Sequence, residues 1–228
     1  MSRRSHSAEP GPEETPGPTP TGFGLYYRGR IDPDDVKALG WPGEVTAPGG
    51  WGPVVNGGAW LSVEGQRVDL CYRDLDEVLT CVAETEQGRF DIHALAGFVG
   101  GIPSYVVVGE LTIGRRLVGS LPPPAFPAAL AASAPSRWRQ LSKMAVRTAR
   151  AHASRDDVTL TVANLTVAAV SEAQARLAER SEWALNEKGI VDRAGLGACH
   201  GVLANPGCRA AELAAAVASV AAIVGVVD

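Results

Sequence analysis

Hydrophobic and polar positions alternate with two different periods along the chain. Phe23-Gly24-Leu25-Tyr26-Tyr27 is a short apolar, aromatic run and reads as a strand. Asp32-Pro33 then opens a short helix carrying Val36 and Leu39, which Gly40 ends. Residues 41–58, rich in Gly and Pro, read as irregular edge structure. Ala59–Val63 and Arg67–Tyr72 flank Glu64-Gly65-Gln66 and predict a hairpin with a three-residue loop. Asp74 followed by Glu77 is a capping-box arrangement for a helix ending at Gly88. From Asp91 the pattern reads as helical. It breaks at Gly100-Gly101-Ile102-Pro103 and resumes to about Gly119. Beyond the linker Pro122-Pro123-Pro124, helical periodicity covers 135–153, 156–183, 187–194 and 209–227.

Composition sharpens this division. Residues 1–119 hold 20 of the 26 Gly, and residues 125–228 hold 28 of the 35 Ala. Glycine marks turns and alanine is the best helix former. The expected fold is α+β: a small mixed sheet domain over 23–120, then a helical bundle over 125–228. Residues 1–22, with five prolines and no apolar periodicity, read as a disordered leader.

Charge and cysteine usage exclude several classes. The formal charge of −4 argues against a chain-wide nucleic-acid footprint. Cys71, Cys81, Cys199 and Cys208 lack zinc spacing and read as free thiols of a reducing, cytoplasmic setting. No apolar run follows Arg3-Arg4 to suggest a signal peptide. Leu213–Val227 is 15 residues of mostly Ala and Val, short of the roughly 20 needed to span a bilayer. It reads as a packed helix, and no membrane partner is expected.

One strand carries candidate chemistry. Val68, Leu70 and Tyr72 alternate with Asp69 and Cys71. Aspartate is depleted in strands, so Asp69 is either a solvent-facing carboxylate or one presented on a rigid strand for metal or base chemistry.

The segments Asn56–Leu61, Arg67–Asp76, Gly101–Tyr105, Trp183–Lys188 and Asp192–Leu196 stand in one order along the chain. In that order they resemble the small bacterial nucleotidyltransferases of the DNA polymerase β superfamily, related to the aminoglycoside nucleotidyltransferases. The resemblance covers about residues 23–228. It implies transfer of a nucleoside monophosphate from a nucleoside triphosphate to a hydroxyl of a small acceptor, with pyrophosphate leaving. It further implies a Gly-Ser loop for the triphosphate, an Asp-x-Asp pair and a third carboxylate, which together hold Mg²⁺. Asp69 matches the third carboxylate and would serve as catalytic and metal residue. Lys188 would meet the triphosphate from the helical side, with Glu187 beside it as a second nucleotide-binding candidate. An ordinary solvated lysine and a favourable first-turn acid are the plainer readings of that pair.

The chain departs from the family pattern. Where Asp-x-Asp belongs stand Pro20, Thr21 and Gly22, and no Gly-Ser loop precedes them. One carboxylate is a poor set for a hard cation, so weak or absent transfer is expected. A reading frame opening upstream would supply the missing parts. A degenerate relative would instead bind a nucleotide or a protein partner, or form a homodimer, without catalysis. Trp41, Trp51 and Trp60 are expected in core or interface packing. Arg73-Asp74 is expected to start a helix, and Arg115-Arg116 and Arg137-Trp138-Arg139 to form solvated faces.

Overall fold

A computed structural model describes residues 21–226. The expected leader, up to residue 20, lies outside the described residues, and Thr21 and Gly22 already belong to a strand. The architecture is α+β. The first part runs β1 (Thr21–Tyr27), α1 (Pro33–Lys37), β2 (Gly43–Thr46), β3 (Gly58–Val63), β4 (Gln66–Asp74) and α2 (Leu75–Glu86). Then come β5 (Ile92–His93), β6 (Ile102–Pro103) and α3 (Val106–Ile113). The helical part is α4 (Ala128–Ala153), α5 (Val158–Glu179), α6 (Ile190–Arg193), α7 (Ala198–Ala204) and α8 (Ala210–Ile223).

The main sheet has strand order β1-β4-β3-β2 and is mixed, with β1 parallel to β4 and the other pairs antiparallel. Val68, Leu70 and Tyr72 pack with Ala59, Leu61 and Val36 of α1, so alternation along β4 sorts the faces as expected. The β3–β4 loop is two residues, not three. Glu64 and Gly65 both take positive φ (51° and 78°), the twist-matched form of a tight hairpin. Asp74 caps α2, accepting from the backbone N–H groups of Asp76 and Glu77.

The helix expected from Asp91 is not there. Residues 91–104 form instead a small antiparallel pair, β5 with β6, closed by Ser104 N–H donating to the Asp91 carbonyl. Gly97 (φ 91°) and Gly101 (φ 93°) lie in the left-handed region, which no helix admits. The following helix ends at Ile113 rather than near Gly119, because Gly114 turns extended (φ −64°, ψ 138°). Helix α4 begins at Ala128, seven residues before the expected start, and Pro135 sits inside it. A proline favours a helix's first turn, which made Pro135 read as a start. Helix α7 was not expected.

Trp138, expected on a solvated face, is fully buried in α4. It joins Val78, Phe90, Tyr105 and Val108 to Ala175 and Trp183 in one cluster. That cluster ties the sheet part to the helices. Its polar atoms are satisfied in series: Trp138 Nε1 donates to Tyr105 Oη at 2.9 Å, and Tyr105 Oη lies 3.4 Å from Gln174 Oε1. A second cluster fills the space between α4, α5 and α8. Among the described residues no helix is long and apolar enough to cross a membrane.

Candidate functional site

The register across the main sheet places four residues in one row. Gly22 of β1 stands beside Asp69 of β4, Asp69 beside Trp60 of β3, and Trp60 beside Glu44 of β2. Directly paired residues share a face, so Asp69 has glycine on one side and an indole on the other. Asp69 is half-buried, and its carboxylate has no hydrogen bond or ion pair with a described residue.

Further along the same face the chemistry changes. Cys71 follows, and burial pushes its thiol up. Arg73 comes next, with its side chain only 4% exposed. Its guanidinium grips Glu110 of α3 through two bonds of 2.7 Å and donates to the Val55 and Tyr72 carbonyls. Tyr26, paired with Arg73 on β1, has its phenol pushed up to about 12. Burial is the main cause and the Glu110 charge adds to it, while Arg73 pulls the other way. The face is therefore graded from an open carboxylate end to a closed ion-paired end.

Trp60 is 50% exposed, and Trp51 stacks on it with ring centroids 4.8 Å apart and planes 21° apart. Trp41 is also exposed. Core packing holds for none of the three in full: Trp60 lies on the face of the sheet opposite the one that α1 covers with Val36.

Glu187 and Lys188 do not join Asp69. The Glu187 carboxylate accepts from the backbone N–H groups of Val99 and Gly100, at 2.6 and 2.7 Å, and clamps the 94–101 loop to the helical part. That is a structural use of both oxygens. Lys188 is exposed, and its backbone N–H donates to Asn186 Oδ1. Asn186 thus caps a turn ahead of α6, whose own start is the left-handed Gly189.

Two clefts lie elsewhere. One of about 680 Å³ runs beside α2 and includes Arg73, Glu77, Cys81, Arg89 and Phe90. The other, about 740 Å³, lies under the 94–101 loop with Leu95, Phe98, Leu141 and Met144. Arg137 lines both. Its guanidinium sits 4.6 Å from the Phe90 ring centre and donates to the Phe90 carbonyl. Neither cleft contains Asp69, Glu187 or Lys188.

The Mg²⁺ that the family resemblance implies does not fit this donor set. No cluster of three or more His, Cys, Asp or Glu side chains among the described residues could hold an ion, and Asp69 is flanked by Gly22 and Trp60. A hard cation takes about six oxygens, with carboxylates prominent among them.

The Arg73–Glu110 pair escaped the sequence reading. A signal for it exists: Glu110 is the single charge in the apolar helix VVVGELTI, and a charge in such a helix needs a partner. Comparison with protein-family models, curated proteins and solved structures finds no match.

Proposed function

We propose that this chain is a nucleotidyltransferase-like protein in which transfer of a nucleoside monophosphate to an acceptor hydroxyl is weak or lost. The supporting observation is the Gly22–Asp69 pair. By the resemblance Asp69 would be the third carboxylate, and its partner on the neighbouring strand is Gly22 where an acid would stand. That pairing supports impaired transfer, since the resemblance implies two adjacent carboxylates and the chain has one carboxylate and a glycine. The test is incubation with nucleoside triphosphates, Mg²⁺ and a panel of hydroxyl acceptors. Pyrophosphate release is expected near background. Robust release that vanishes in Asp69→Ala would show full catalysis and overturn the impairment.

A second reading is a non-catalytic interaction module, favoured by strand β1. It forms one edge of the described sheet, and Phe23 and Leu25 are 37% and 40% exposed on it. An unpaired strand edge with apolar side chains is a template for pairing with another chain. Size-exclusion chromatography with and without ATP and Mg²⁺ separates the readings. A dimer indifferent to nucleotide supports the module, and nucleotide-dependent thermal stabilisation supports a retained nucleotide site.

A further inference from the structure

Trp60 combines exposure, rigidity and flanking charge in a way the nucleotidyl reading does not use. Half of its surface is open to solvent. One side of the ring is backed by Trp51, which is itself fixed. Trp51 N–H donates to the Asn56 carbonyl at 2.9 Å, and Asn56 Oδ1 accepts from Gly49 N–H at 2.7 Å. Trp51 lies over Gly58, where an added Cβ would stand 2.7 Å from its ring and 1.8 Å from the Leu70 carbonyl oxygen. In the other direction along β3 stands the small Ser62, on the same face. The indole is thus a pre-set aromatic surface.

Its flanks are acidic. Glu44 and Asp69 are its direct cross-strand neighbours, and neither carboxylate has a hydrogen bond or ion pair with a described residue. The two carboxylates are two strand spacings apart, about 9–10 Å between backbones. Metal–oxygen bonds of about 2.0–2.6 Å suit a tighter set of ligands. A bulkier cation lying on the indole can meet both acids. An alkylated ammonium is weakly hydrated, is attracted by the indole face and gains from carboxylates on either side. Arg67, one step along β4 on the same face and paired with Ser62, sets a positive rim on one side.

We propose that Trp60, flanked by Glu44 and Asp69, binds a small organic cation with an alkylated ammonium head. This site shares Asp69 with the nucleotidyl reading but requires neither nucleotide nor metal.

The test is isothermal titration calorimetry of the full chain with choline, without nucleotide or Mg²⁺. The control ligand is 3,3-dimethyl-1-butanol, the neutral carbon isostere. Choline is expected to bind, with the isostere roughly tenfold weaker. Trp60→Leu should abolish binding and Trp60→Phe should retain part of it. Glu44→Gln and Asp69→Asn should each weaken it several-fold, and Arg67→Ala should tighten it. Glu44 is exposed, so its variant keeps the test valid even if Trp60→Leu unfolds. Absence of choline binding, equal binding of the isostere, or weakening by Arg67→Ala overturns the proposal. A failed transfer assay leaves it standing, since binding is read without turnover.

Discussion

Arg73 and Glu110 meet in a two-bonded ion pair that joins the last turn of sheet in β4 to helix α3. The arginine is buried and the carboxylate is 26% exposed. Removing one partner strands the other charge where water cannot fully reach it. Glu110→Ala should therefore cost about 3–5 kcal/mol. Urea denaturation checks this, and a cost under about 1 kcal/mol would mean the pair is solvated in solution. Replacing both residues with apolar ones of similar volume should recover most of the loss.

Gly22→Asp places a second carboxylate beside Asp69. The site tolerates it sterically, because an added Cβ meets nothing within 4 Å and the backbone φ is ordinary. Without cation, two like charges side by side should destabilise the sheet by up to about 1 kcal/mol. With millimolar Mg²⁺ the variant should gain thermal stability, while the native chain and Gly22→Asp combined with Asp69→Asn should not. Equal melting curves with and without Mg²⁺ in the single variant would refute the geometry.

Glu187 holds two backbone N–H groups of the 94–101 loop. Glu187→Ala leaves both without an acceptor and should cost about 1–3 kcal/mol. Amide hydrogen exchange at Val99 and Gly100 should accelerate, while exchange in α4 stays slow. If the residue acted on nucleotide instead, its loss would change nucleotide binding and leave these amides unmoved.

Tyr26 ties stability to alkaline pH. Its phenol titrates near 10 in the unfolded chain and at about 12 in the fold, because burial disfavours the phenolate. The folded state then holds a proton that the unfolded state releases. The contribution is fully present below pH 10 and is lost as pH rises through 12. Burial also holds up the phenols of Tyr72 and Tyr105, so phenolate absorbance in Tyr26→Phe should lose one tyrosine's share of the late titration, near pH 12, and keep the rest. The variant should also lose less stability over that window.

What was legible in the sequence was local. The period-two pattern of β3 and β4 and the Asp74 cap depend on residues within one element, and the structure keeps them. Residues 91–101 misled because Ala94, Leu95, Ala96 and Phe98 imitate a helical stripe, while Gly97 and Gly101 decide the backbone. Pro135 misled because its usual place is a helix start. The face of Asp69 was readable from alternation. Its neighbours were not, because register joins Gly22, Trp60 and Glu44 to it across the sheet. Arg73 and Glu110 lie 37 positions apart, beyond the reach of any periodicity. The exposure of Trp60 likewise follows from what does not cover it, which no local window records.

The parallel pairing of β1 with β4 also sets an order of assembly. The hairpin β3–β4 closes through two residues, whereas Gly22 and Asp69 lie 47 positions apart. Closing the longer loop costs more chain entropy before its contacts can form. The hairpin is then the early, local event, and β1 docks late against an existing edge. In reverse, loss of β1 would take Gly22 away from Asp69 while leaving the β3–β4 hairpin closed. The Gly22–Asp69 neighbourhood and the Trp60–Asp69 neighbourhood thus rest on chain closures of very different length.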